Sequence, residues 1–249
     1  MTAPVLRARH AVMVMALALA LAGCTAPAAT GPRGITEAEA DRLADVLYTN
    51  FQDGGASFTL SALTTTGATI AIEGDIDFTK GAGRADFTST GSDASLVEVA
   101  WLGDTVLESI PTLVQLADAG GQGGFTWVAR AADPQTYEVD AQLAIVRALG
   151  SEVRENPQLV RQSGARWLRS DTLRGVAVDV FQYGKNTKYW LAKDGSQLLR
   201  FEGNNSDQNS PVLVDLTDPG TRTIDLPTLE ETVAVQDIAD LYASARYHG

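Results

Sequence analysis

Glu73, Asp75 and Asp77 alternate along the chain, so an extended backbone would set three carboxylates on one face, about 7 Å apart. That spacing could hold a calcium ion or supply an acid/base pair. It equally describes the solvated exterior of a strand that resists edge pairing, which is the reading adopted. Carboxylate-only glycosidase chemistry needs two opposed acids, and no pair stands out. Histidine chemistry is scarce: the 2 histidines are His10 and His248, the latter one residue from the end. A Ser-His-Asp triad or His-based metal site would have to be assembled at a chain terminus. Gly120-Gly121-Gln122-Gly123-Gly124 has the glycine content of a phosphate-cradling loop, but it leads into a strand-like run rather than a helix. It reads as hinge or lid material. The expectation is therefore a non-enzyme, with no catalytic residue, no metal site and no cofactor.

The remaining reactive side chain is Cys24, the chain's 1 cysteine, which excludes a disulfide framework and a thiolate metal site. Arg7, Arg9 and His10 precede the uncharged apolar run 11–20. That run is too short for a permanent membrane span but has the length and flanks of a signal-peptide core. It ends in Leu21-Ala22-Gly23-Cys24, which resembles a lipobox: small residues fit a signal peptidase pocket, and the thiol takes the diacylglycerol. The sequence predicts a signal peptide over 1–23 and a Pro/Gly-broken tether over 24–34. It places the mature protein on the extracytoplasmic face of the cell membrane, held by palmitate-type acyl chains on Cys24. Alanine-, glycine- and arginine-rich usage fits a high-GC bacterium such as an actinomycete.

Cleavage before Cys24 leaves 226 residues with 17 Lys and Arg against 31 Asp and Glu, a net charge of −14. So acidic a body is a poor partner for nucleic acid or anionic headgroups, and membrane attachment falls to the acyl chains.

Thr36 and Glu39 have capping-box spacing, ahead of Ala40, Leu43, Val46, Leu47 and Phe51 at helical intervals. From Ala68 to Phe78 the period changes to two, with Ile70, Ile72, Ile76 and Phe78 on one side. This is a half-buried antiparallel strand, with shorter strands on either side. Residues 96–102 place Val97, Val99 and Trp101 together. A brief helix is predicted over 111–118, a strand over 125–130, and a helix opened by Asp133-Pro134 that carries Val139, Leu143, Val146 and Leu149 up to a Gly150 cap. Six more strands follow: 165–170, 176–183, 187–192, 198–202, 212–216 and 221–226. Lys193-Asp194-Gly195-Ser196 is a hairpin signal, 204–210 is a polar loop, and Thr228 with Glu231 could cap a last helix bearing Ile238, Leu241, Tyr242 and Ala245. Short connections favour an antiparallel sheet, and one polar face leaves the other for helices. The prediction is a single α+β domain over 35–249.

That element order behind a lipobox resembles the LolA/LppX-like group of bacterial envelope lipoproteins, including the LppX and LprG types. The likeness is best carried by residues 175–203, GVAVDVFQYGKNTKYWLAKDGSQLLRFEG, and by Thr223-Ile224-Asp225-Leu226-Pro227 as a closing strand. The segment 228–249 departs from many members, which stop near that strand. The resemblance implies a curved antiparallel half-barrel of about 11 strands, with helices covering its concave side and an apolar cavity between. It implies a lipid or glycolipid ligand carried between membranes or enzymes, or else a protein-interaction or stress-sensing module of the envelope that uses the same fold on a protein partner without lipid carriage. The cavity would be lined by Ile70, Ile72, Ile76, Phe78, Val97, Val99, Trp101, Val178, Val180, Leu199 and Phe201. Lifting an acyl chain of about 16 carbons from a bilayer forfeits roughly 12 kcal/mol, which such a stripe would have to return. The same residues would equally make an ordinary core filled by helices. Trp127, Trp167, Trp190 and Tyr189 are open to the same two readings.

Overall fold

The computed structural model describes residues 31–63, 67–91, 96–204 and 211–247. Cys24, His248 and residues 205–210 of the polar loop lie outside them. The chain enters through a two-residue strand, β1 (Arg33–Gly34), at the end of the expected tether. Helix α1 (Glu37–Asp53) follows, and both halves of its capping box are made: Thr36 accepts from the Glu39 amide, and Glu39 reaches back to the Thr36 amide. Period-two patterning then gives β2 (Gly55–Leu63), β3 (Thr69–Asp77), β4 (Ala82–Ser89), β5 (Glu98–Leu102) and β6 (Thr105–Ser109). Helix α2 (Pro111–Ala119) interrupts before β7 (Trp127–Ala131), and α3 (Glu138–Arg147) and α4 (Pro157–Gln162) come next. A second meander runs through β8 (Arg166–Leu173), β9 (Val176–Gln182), β10 (Lys188–Ala192), β11 (Leu198–Asn204) and β12 (Pro211–Thr217). The chain ends in β13 (Thr232–Ala234), a 3-10 turn and α5 (Ala239–Tyr247).

All thirteen strands belong to one curved, unclosed sheet, ordered β1-β8-β9-β10-β11-β12-β2-β3-β4-β5-β6-β7-β13. The two meanders join where β12 pairs antiparallel with β2, from Val212 opposite Ala62 to Thr217 opposite Ser57. Every pairing is antiparallel except β13 on β7, which is parallel. This is the expected α+β architecture, with the helices on one face, here called the inner face.

The largest inner side chain, Trp101, needs a glycine opposite it. Gly83 pairs with Trp101 across β4 and β5, and a Cβ on Gly83 would sit 2.0 Å from the indole ring. Phe58 meets that ring edge-on at 6.2 Å between centroids, a favoured aromatic geometry.

Three local expectations are corrected. Residues 221–226 form no strand: the place beside β12 is taken by β2, so this segment crosses the outer face, pinned by Arg222 to Asp75 at 3.0 Å. Thr228 and Glu231 do bond each other's backbones, but they close a turn ahead of β13, and the last helix starts only at Ala239. Asp133 likewise accepts from the Gln135 and Thr136 amides in a turn. Helix α3 therefore begins at Glu138 and is capped at Ala148, while Gly150 sits against the Phe78 ring. Helix α4 was not anticipated, although Asn156 caps it and Pro157 opens it, the signal that Asp133-Pro134 only imitates.

Candidate functional site

The inner face is an apolar wall built from alternate residues of most strands. It divides the expected ligand stripe. Ile70, Ile72, Ile76, Phe78, Val99, Trp101 and Phe201 lie in one buried cluster with α1, α2, α3 and α5 side chains, none more than 9% exposed. Val178, Val180 and Leu199 are corrected to the other face, where they pack with Trp190, Leu168 and Leu173. Apolar residues occupy both faces of β9, so the period does not say which side turns inward: it is Phe181. A bulge between Trp190 and Leu191 resets the β10–β11 register, so Leu198 and Phe201 face inward and Leu199 does not. Val97 is corrected as well. It is 45% exposed, because Leu96 takes the inward place just before β5. Of the other aromatics, Trp127 packs with Ala100 and Leu107 in a third cluster. Trp167 is half-buried beneath the Arg33 guanidinium, 4.7 Å from the ring centroid.

Helix α1 is clamped to this wall. Arg42 donates to Asp179 (2.9 Å) and to the carbonyls of Ala192 (2.8 Å) and Gly195 (2.9 Å). Asp179 also accepts from the Trp167 indole (3.1 Å) and the Ser170 hydroxyl (3.0 Å). Burial alone would raise the Asp179 pKa, but the bonds from Arg42, Trp167 and Ser170 outweigh it and hold the carboxyl below its usual range. Asn50 adds a buried bond to the Leu149 carbonyl at 2.7 Å.

Arg130 crosses from β7 to α3 in a buried network. It donates to both Asp140 oxygens (2.6 and 2.7 Å) and to Glu108 (2.5 Å), while Tyr137 lies 3.8 Å from its carbon centre. Burial would lower the Arg130 pKa, but the two carboxylates outweigh it and raise it. The Tyr242 hydroxyl donates to Glu108 from α5, so this network fastens both α3 and α5.

Helix α2 is fastened differently. Among the described residues it makes no side-chain hydrogen bond or ion pair, and Ile110 at its N-cap offers no side-chain cap. Apolar contacts press it on the wall: Leu113 and Ala117, both fully buried, with Val114 half-buried beside them. The glycine loop follows, with Gly121 at φ +71° and Gly124 at φ +106°, conformations that cost most other residues energy. Beside α2 an open groove of about 480 Å³ is lined by Val114, Asp118, Phe125, Thr126 and Glu231, among others. Its lining mixes the apolar Val114 and Phe125 with the acids Asp118, Glu230 and Glu231. Leu229, between two lining residues of this groove, is 93% exposed. Inside the wall, the Trp101 indole nitrogen and the Gln142 carbonyl oxygen are buried with no hydrogen-bond partner.

The three alternating carboxylates of β3 separate. Asp77 is buried as the acceptor of the following turn, taking bonds from Thr79 and Lys80. Asp75 is held by Arg222 and Ser57. Glu73 is exposed, opposite Asp86, in an outer groove of about 360 Å³ that also contains Thr59, Ser61 and Asp215. Among the described residues no cluster of three His, Cys, Asp or Glu could hold a metal ion.

No family model matches the chain, and no curated protein matches it. Solved structures do. An uncharacterized conserved protein from Thermus thermophilus superimposes at a TM-score of 0.43 and 10% identity over 79% of this chain and 99% of its own. A LolA superfamily protein from Nitrosomonas europaea does so at a TM-score of 0.33 and 11% identity, over 78% and 96%. MucB of Pseudomonas aeruginosa, in its complex with MucA, gives a TM-score of 0.34 and 14% identity over 76% of this chain and 58% of its own. The likeness is weak in sequence and in superposition, and the architecture rests on the strand order above.

Proposed function

We propose that this is a non-enzymatic, membrane-tethered binding protein of the cell envelope, taking a lipid or lipidated ligand against the inner wall of its sheet beneath α2. The supporting observation is the contrast in how that wall is covered. Three helices are tied down by polar bonds, while α2 is uncapped, lies on apolar contacts alone and is followed by glycines. Swinging α2 outward would join the groove beside Val114 and Phe125 to the apolar surface under Leu113 and Ala117. A ligand carbonyl or hydroxyl could then meet the Trp101 indole, whose unpaired burial is costly. Acyl chains on Cys24 would hold the protein at the membrane, and the ligand would enter and leave through the α2 opening.

A second reading has an observation of its own. In the described residues helix side chains fill the inner face as one continuous cluster, as suits a module that binds an envelope protein on its surface.

Organic extraction of the membrane-purified protein, with mass spectrometry of the extract, separates the two. The lipid reading expects near-stoichiometric lipid, together with hydrogen exchange over residues 111–124 that slows when lipid is bound. Absence of lipid, with exchange over 111–124 as slow as in α1, would reject it in favour of the protein-binding module.

A further inference from the structure

Charge is distributed unevenly over this acidic molecule. Residues 154–200 carry nine Arg and Lys against four Asp and Glu, whereas the whole chain carries 19 against 31. Ion pairing is uneven in the same way. Outside that segment, every Lys or Arg whose side chain is described lies within 4 Å of a carboxylate, for example Arg84 on Glu98, Arg147 on Asp104 and Arg222 on Asp75. Among the described residues, the cations with no carboxylate partner are Arg161, Arg166, Lys185 and Lys193. Lys193 is followed at once by Asp194.

The other three gather at one place. Arg161 lies in the last turn of α4 close before β8, Arg166 opens β8, and Arg166 pairs across the sheet with Gln182, whose side chain bonds the Lys185 carbonyl. Arg169 continues the line along β8, 52% exposed, and its partner Asp171 is 42% exposed, so solvent screens the pair. This is also where the chain enters the domain. β1 pairs with β8, Arg33 opposite Trp167 and Gly34 opposite Arg166, and Arg166 donates to the Pro32 carbonyl. Cys24 lies nine Cα steps before Arg33, a reach of at most about 30 Å.

We infer that the β1–β8 edge is the membrane-facing surface of the protein, docking through Arg161, Arg166, Arg169 and Lys185 onto anionic phospholipid headgroups of the bilayer that holds Cys24. The inference rests on the lipid anchor at Cys24. The tether cannot carry this edge far from the bilayer, and exposed cations are attracted to an anionic surface within about a Debye length. The rest of the body, strongly acidic, is repelled by the same surface. Attraction at one end and repulsion at the other fix an orientation: β8 toward the membrane, β13 and the α2 groove away from it.

The test uses the lipoprotein purified from membranes and reconstituted in vesicles of phosphatidylcholine alone or mixed with phosphatidylglycerol. Because acylation would block Cys24, a single added cysteine, Ser163→Cys near the cationic edge or Thr126→Cys near the far edge, carries a fluorophore unambiguously. With a quencher confined to the bilayer, the Ser163→Cys label should be quenched several-fold more than the Thr126→Cys label in anionic vesicles. High salt, neutral vesicles or the triple substitution Arg161→Glu, Arg166→Glu and Arg169→Glu should shrink that difference while flotation with the vesicles is unchanged. Should the triple variant misfold, Arg161→Gln with Arg166→Gln and Lys185→Gln gives the same reading with less perturbation. Equal quenching at the two positions in anionic vesicles, as an edge serving an acidic protein would give, overturns the inference. So does a difference that the substitutions leave intact. Failure of the parent protein to float would instead refute the anchor, and this orientation with it.

Discussion

Helices α1 and α2 cover the same apolar wall by opposite means. α1 has a complete capping box, a guanidinium reaching across to Asp179, and further ties from Arg154 to Asp45 and from the Ser151 amide to the Leu47 carbonyl at 2.9 Å. α2 has Leu113, Ala117 and the half-buried Val114, and no directional side-chain bond among the described residues. Apolar contact is strong but non-directional, so a helix held by it alone can slide or lift without leaving a buried charge behind. A helix held through a buried carboxylate cannot. The pair therefore separates a fixed scaffold from a cover able to move.

Asp179→Ala should damage the fixed side most. It strips the acceptor from Arg42, Trp167 and Ser170 together, and losing one partner of a largely buried ion pair costs about 3 kcal/mol. Urea denaturation should show the midpoint falling by a corresponding amount, and proteolysis should start near α1. A loss under about 0.5 kcal/mol would mean that α1, like α2, is held by packing.

Acid should weaken the fixed side without a mutation. Glu39 and Asp179 both sit below their ordinary values. Burial opposes that shift in each, and the bonds from Arg33 and Thr36 to Glu39, and from Arg42, Trp167 and Ser170 to Asp179, outweigh it. A depressed folded pKa gives stability that is complete above the unfolded value, near pH 4, and lost as pH falls through the folded value. Below about pH 4, hydrogen exchange in α1 should accelerate relative to the intrinsic rate more than in α2, which has no such carboxylate bond. Equal acceleration in the two helices would erase the distinction.

The smallest effect is expected from Thr36→Ala, which removes one half of the capping box. About 1 kcal/mol or less should be lost, read as a small shift in the urea midpoint, with exchange raised in the first turn of α1 and unchanged in α2.

Much of this was legible in the chain. The capping box of α1, the alternation of Ile70, Ile72 and Ile76, and the apolar face of α3 are local patterns, and each appears where its period places it. The antiparallel α+β sheet follows from short connections. Val178, Val180, Leu199 and Val97 were misplaced for local reasons of another kind: β9 is apolar on both faces, and a bulge and a one-residue shift at a strand start invert a period-two pattern without altering composition. The Arg42–Asp179 clamp and the Arg130 network were invisible, since their partners are far apart in sequence or lie on elements whose packing no pattern specifies.

Sequence alone determined the lone cysteine behind an apolar leader-like run, the acidic excess and the succession of amphipathic elements, because each is a property of neighbours along the chain. Tertiary structure decided which apolar face turned inward, which helix was bonded and which merely laid down, and that, among the described residues, three of the four cations without a carboxylate partner collect beside the strand where the chain enters. Those outcomes depend on long-range pairing of β12 with β2 and of β1 with β8. Register across a sheet is set by all its strands together.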